Sequence, residues 1–242
     1  MQGFAIVAHD STPEHGAARD RDVDPASMDW VEWHRRYDDP ASSLNRRLAV
    51  VQELLADALD ALPPGERTLL SVCAGDGRDV LGVLPTHPRA RDMRATLVEQ
   101  DPRLASRATA SAHAAGLAQV TVTTGDAGLA SCYESARPVD VLLMCGVFGN
   151  VNATDLRRTI EALPDVLGPA GAVLWTRHRG PPDQTPQIRQ WFSAAGLEEL
   201  AFVEVPGSLA SVGHHRLTAP PRGAPLPPRL FAFVGDGSGA HL

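Results

Sequence analysis

Apolar residues along this chain fall into two spacings, and the points where one gives way to the other set its elements. Leu44, Leu48, Val51, Leu54, Leu55 and Leu59 recur every three or four positions, which predicts an amphipathic helix. Ser42 or Ser43 is placed to cap its start, and Pro63-Pro64-Gly65 ends it. Ahead of it, Trp30, Val31, Trp33, His34 and Tyr37 form a helical, aromatic cluster that Pro40 interrupts. Trp30 and Trp33 read as core-packing residues of that helix. Further on the pattern changes. Short apolar runs at 68–72, 95–99, 120–123, 139–144, 172–176 and 200–205 predict buried strands, with a last one at 231–234. Between them, helical spacing covers 79–84, 102–115, 153–167 and 186–195, with a short helix near Leu129. Gly116, Gly168 and Gly196 stand where helices should stop, and residues 220–228 form a proline-rich loop.

Strands alternating with helices across short connections predict an α/β fold: a mostly parallel, seven-stranded sheet with helices on both faces. Residues 1–26 are polar and turn-rich, and are expected to be poorly ordered. Residues 27–66 form a helical N-terminal cap, too short for a core of its own, that packs on the sheet domain at 67–242.

Composition narrows the function classes. The net charge of -7 over 242 residues, with no run of basic residues, argues against a broad nucleic-acid-binding face. Cys73, Cys132 and Cys145 are odd in number and lack CxxC spacing, so they read as reduced, small apolar residues. Nine histidines without HxxxH spacing give no metal site. The first ten residues lack a basic region and an apolar core, and the longest apolar run, near 141–148, is too short to span a bilayer. A cytoplasmic protein without a membrane partner is expected.

Chemistry is concentrated where strands end. The first strand breaks into Cys73-Ala74-Gly75-Asp76-Gly77 before a helix begins. Such a turn serves either tight helix–strand packing or a ligand that approaches bare backbone. The second strand ends in Glu99-Gln100, about twenty residues further on, where a carboxylate can take hydrogen bonds from ribose hydroxyls. The third ends in Gly125-Asp126-Ala127; Asp126 can accept a bond from an adenine amine or cap a helix. The fourth ends in Cys145-Gly146-Val147-Phe148-Gly149-Asn150, again glycine-rich. Ligands bind at this edge of open α/β sheets.

On these residues the chain resembles the class I S-adenosylmethionine (SAM)-dependent methyltransferases, over roughly Thr68 to Val234. The strings WHRRYDDPASSL, CAGDGRD, CGVFGNV and WTRHR resemble a bacterial group of small-molecule methyltransferases. The resemblance implies a Rossmann-like sheet and S-adenosyl-L-methionine held by Ala74, Gly75, Asp76, Gly77, Glu99, Gln100, Asp126, Ala127, Cys145, Gly146, Val147 and Asn150. It also implies methyl transfer to an oxygen or nitrogen of a small molecule. Two positions depart from the family pattern: Ser71 stands where an acidic residue is usual within the first strand, and Cys73 where the first glycine is usual. The fourth motif lacks the Asn/Asp-Pro-Pro-aromatic form of enzymes that methylate base or glutamine nitrogens.

A neutral nucleophile must lose a proton, and His178, after the fifth strand, is the candidate base. Tyr37, His34 and Arg177 are candidate substrate contacts, His34 on a segment able to fold over the cofactor. His214 and His215 lie between the last strands and are weaker candidates. Two rivals remain. An NAD-dependent oxidoreductase is disfavoured because Val80 stands at the third glycine of G-x-G-x-x-G. The other is a cofactor-binding scaffold without catalysis.

Overall fold

The computed structural model describes residues 29–234; the expectation for residues 1–26 lies outside the described residues. Seven strands form one sheet in the order β3-β2-β1-β4-β5-β7-β6. They are β1 Arg67–Val72, β2 Met93–Glu99, β3 Val120–Thr124, β4 Val139–Met144, β5 Leu167–His178, β6 Leu197–Glu204 and β7 Ala210–Leu217. The first five are parallel, and β7 runs antiparallel between β5 and β6.

The apolar runs identify the central strands because these are buried on both faces. Leu70 and Val72 of β1, Leu142 and Met144 of β4, and Val173 and Trp175 of β5 enter one apolar core. Their neighbours Leu69, Val141, Leu143, Ala172 and Leu174 enter the other. Covering the first core are α5 Ser131–Glu134, α6 Ala153–Val166 and α7 Thr185–Ala194. Covering the second are α2 Ser43–Asp60, α3 Arg78–Leu81 and α4 Pro102–Ala114. The N-terminal cap consists of α1 Trp30–His34, a 3₁₀ turn Arg35–Asp38, and α2.

Ser42 caps α2, its hydroxyl taking the Asn45 N–H at 3.0 Å, and Asn152 caps α6 in the same way. Three expectations need correction. Residues 231–234 do not form a strand; Phe233 makes a single bridge to Val151. The seventh strand is β7, which carries His214 and His215 inside the sheet. Gly168 does not stop a helix, because α6 already ends at Val166 and Gly168 lies within β5.

Candidate functional site

The strand order reverses between β1 and β4, so the loops leaving these two strands diverge and open a crevice at the carboxyl edge. A cleft of about 1810 Å³ lies there. Its walls come from the glycine turn after β1, the ends of β2 through β5, the β6–β7 turn and the N-terminal cap.

The two glycines of the turn answer different needs. Gly77 has φ +76°, and a Cβ there would lie 2.8 Å from Leu97 Cδ2 and 2.9 Å from Leu81 Cδ1. It is a packing glycine, letting α3 sit close on the sheet. Gly75 has φ +59° and lies beneath the cap, where a Cβ would collide with the His34 imidazole. Its N–H donates to Glu99 Oε2 at 2.7 Å, and the Asp101 N–H donates to Oε1 at 2.8 Å. Glu99 is therefore a buried carboxylate, fixed by two backbone donors, on the cleft wall. Ala74 lines the wall beside it, and exposed Gln100 lies next along it.

Asp76 is gripped by Arg78, whose Nε lies 2.8 Å from Oδ1. Burial works against its charge, but the guanidinium outweighs burial and holds the carboxyl below its ordinary value. Asp79 is the group that sequence reading missed. It is 8% exposed and lines the cleft. Its Oδ1 takes the Val80 N–H at 2.8 Å, and the Ser71 hydroxyl lies 3.5 Å from Oδ2. Burial pushes its carboxyl up to about 6. Ser71, standing where the family pattern has an acid, gave the only signal: Asp79 on α3 lies against it.

Gly146 donates its N–H to Thr176 Oγ1 at 2.9 Å, and its φ of +81° leaves open space where a Cβ would stand. Asn150 Nδ2 donates to Gly146 O at 2.6 Å and closes this loop on itself. Cys145 and Ala127 also line the cleft, and burial raises the Cys145 thiol. Gly75 and Gly77 do not line the cleft, and two more expected cofactor contacts are placed elsewhere. Val147 is fully buried in the apolar core beneath the loop and lines none of the cleft. Asp126 turns to Arg229, 2.9 Å from Oδ2, while its Oδ1 takes the Gly128 N–H at 2.8 Å. Arg229 belongs to a C-terminal strap that brings Phe233 onto the cleft wall.

The cap roofs this edge. Trp30 and Trp33 line the cleft instead of packing in a core, and α1 buries none of its residues. His34 lies over Gly75, its Nδ1 2.6 Å from Trp30 O. Tyr37 stacks against the Arg78 guanidinium at 4.7 Å, and its hydroxyl accepts from Arg47. Across the cleft, Arg177 donates to Phe148 O and, at 2.9 Å, to Gln184 Oε1. His178 is exposed at the end of β5, and its Nδ1 accepts the Gly180 N–H at 3.0 Å. The neutral ring then carries its proton on Nε2. His214 and His215 are buried within the sheet, away from the cleft.

No model of a protein family matches the sequence, and no curated protein is similar to it. Solved structures do match. A possible exported protein from Bordetella parapertussis superposes with a TM-score of 0.63 at 17% identity, covering 81% of each chain. Magnesium protoporphyrin IX methyltransferase from Synechocystis, solved with bound SAM, gives 0.61 at 14% identity over 80% of this chain and 93% of that one. An O-methyltransferase family protein from Burkholderia thailandensis gives 0.59 at 18% identity over 78% of this chain and 62% of that one. At such identities the likeness is one of fold. The fold is one shared with class I SAM-dependent methyltransferases.

Proposed function

We propose that this chain is a SAM-dependent methyltransferase acting on an oxygen or nitrogen of a small molecule. The observation that carries the reading is Glu99. It is a buried carboxylate at the carboxyl end of β2 that holds the glycine turn and lines the cleft. Each oxygen accepts one backbone N–H and keeps acceptor capacity, enough for a pair of ribose hydroxyls. The remaining residues fit a cationic nucleoside cofactor. Gly146 offers bare backbone to the cleft, and Asp79 is a buried carboxylate with no cation within ion-pair distance among the described residues. An acidic chain without a run of basic residues favours a small acceptor over a polynucleotide.

When bound, the cofactor supplies both the methyl group and the leaving group. The work left to the protein is to place the acceptor in line and keep water out. Thr176 and Asn150 fix the Gly146 loop, and the Trp30–Asp38 segment covers the opposite side. Tyr37, His34 and Arg177 face the space left for an acceptor. His178 stands at its mouth, but its Nδ1 is committed to Gly180. It must release that bond before it can take a proton, so positioning is the role assigned to it.

Titration of the full chain with SAM in a calorimeter tests the reading. Glu99→Gln keeps the shape and removes the charge. It is expected to weaken binding about ten- to a hundredfold, the range of one charge-assisted hydrogen bond. Unchanged affinity in a folded variant would sink the assignment.

A further inference from the structure

All 22 basic residues of the chain are arginine, and most of those described stand beside a carboxylate. Arg46, Arg47 and Arg177 break that pattern. All three are half-buried and line the cleft, and among the described residues none forms an ion pair. Their partners are neutral: Ala41 O and Gly207 O for Arg46, the Tyr37 hydroxyl for Arg47, Phe148 O and Gln184 Oε1 for Arg177. Arg46 Nε is buried and has no partner. Burial pulls the Arg177 guanidinium below its ordinary value.

Apart from the Asp76–Arg78 pair, the β1–β2 side of the cleft presents Asp79 and Glu99; the side bounded by α2 and β5 presents the three guanidinium groups, with Asp39 ahead of α2. The first turn of α2, Ser42 and Ser43, opens into the same side and adds the positive end of an 18-residue helix. A half-buried charge without an ion-pair partner costs stability; here all three are oriented by neutral groups, and Asp183 acts on Arg177 only from beyond ion-pair distance. A guanidinium held this way is preorganised for a planar oxyanion, which it binds through paired N–H donors.

We infer that the methyl acceptor is an anion, a small molecule bearing a carboxylate or phosphate that Arg46, Arg47 and Arg177 hold on the α2–β5 side of the cleft. The inference rests on the methyltransferase reading and names the substrate class of that same site. The anion acts as the handle, and the acceptor atom lies on the same molecule, turned toward Gly146.

The test divides a metabolite extract by ion exchange into anionic, neutral and cationic pools before any reaction. Each pool is incubated with the full chain and methyl-labelled SAM. Label is expected in the anionic pool, and a phosphatase step separates phosphate-bearing acceptors from carboxylates. On the labelled acceptor, Arg46→Gln and Arg47→Gln should each raise KM about tenfold or more. SAM affinity of Arg46→Gln, read by calorimetry, should stay close to wild type, and Arg47→Lys should recover part of the KM loss. Label confined to the neutral or cationic pool overturns this inference and leaves the methyltransferase reading standing. A chain that binds SAM yet labels no pool overturns both.

Discussion

At the scale of single residues, the carboxylates divide by what surrounds them. Asp76 and Asp101 have an arginine each, while Asp79 has one backbone N–H and a distant hydroxyl. That difference is why burial wins at Asp79 and pushes its carboxyl up to about 6. The chain could be read for Glu99 because an acid at a strand end is visible in one dimension. It could not be read for Asp79, whose meaning depends on Ser71 lying against it across the turn. A cationic ligand beside Asp79 favours the ionised form, so binding and deprotonation help each other. SAM affinity should therefore be level above about pH 6 and fall by up to about tenfold per unit below it. Asp79→Asn should bind more weakly at neutral pH and lose that slope. Calorimetry between about pH 5 and 7 decides the matter; a wild-type affinity that ignores pH over that range separates Asp79 from the cofactor.

At the scale of elements, legibility followed burial. The central strands are apolar on both faces and stand out as apolar runs, so β1, β2, β4 and β5 were placed close to their observed positions; β3, an edge strand with no buried residue, was placed as well. β7 escaped because Gly213-His214-His215-Arg216 looks like a loop, and only its backbone pairing with β5 and β6 makes it a strand. Residues 231–234 were misread for the opposite reason: they are apolar because the C-terminal strap packs on the core, not because they pair. The cap shows a third case. α1 has five residues and buries none, so its position depends on side-chain tethers. Arg103 lies 3.1 Å from Asp29, Arg78 lies 3.5 Å from Asp38, and Tyr37 is held by Arg78 and Arg47. The two ion pairs are exposed on at least one side, which makes them weak. Tyr37 is then the main anchor. Tyr37→Ala removes a cation–π contact and a hydrogen bond, together about 1–3 kcal/mol. Dissociation of SAM, followed by stopped flow, should speed up about five- to a hundredfold, since each 1.4 kcal/mol is a factor of ten. The melting temperature should barely move, because nothing in α1 is buried. A large loss of stability with unchanged dissociation would make Tyr37 a structural residue and the segment a fixed wall.

At the scale of the whole molecule, one sheet carries both the binding edge and an unusual polar interior. β7 places His215 between the sheet and α7, stacked on Phe192 with ring centres 4.2 Å apart and accepting the Trp175 Nε1–H at 3.2 Å. Burial lowers His215 to about 4, against the pull of Glu199, whose carboxylate lies 3.6 Å from Nε2 and is itself held by Arg189. Burial lowers His214 as well. Because the folded chain resists a proton that the unfolded chain accepts near pH 6.5, acid favours unfolding. The His215 contribution is intact above about pH 6.5 and is lost as pH falls toward about 4, approaching roughly 3 kcal/mol on the scale of 1.36 per unit. Asp79 acts with the opposite sign. Its raised carboxyl favours the folded state in acid, and that contribution is lost as pH rises through about 6. The two groups lie on different parts of the sheet, so single variants should separate their effects. His215→Gln keeps an acceptor for Trp175 and removes the titration. Its urea-unfolding free energy, measured against wild type from about pH 7 to 4, should start lower and close the gap as pH falls. The change should occur below about pH 6.5, in the window set by the lowered imidazole. A gap that stays constant over that range would mean His215 is protonated equally in both states and that acid acts on the fold through other groups, His214 among them.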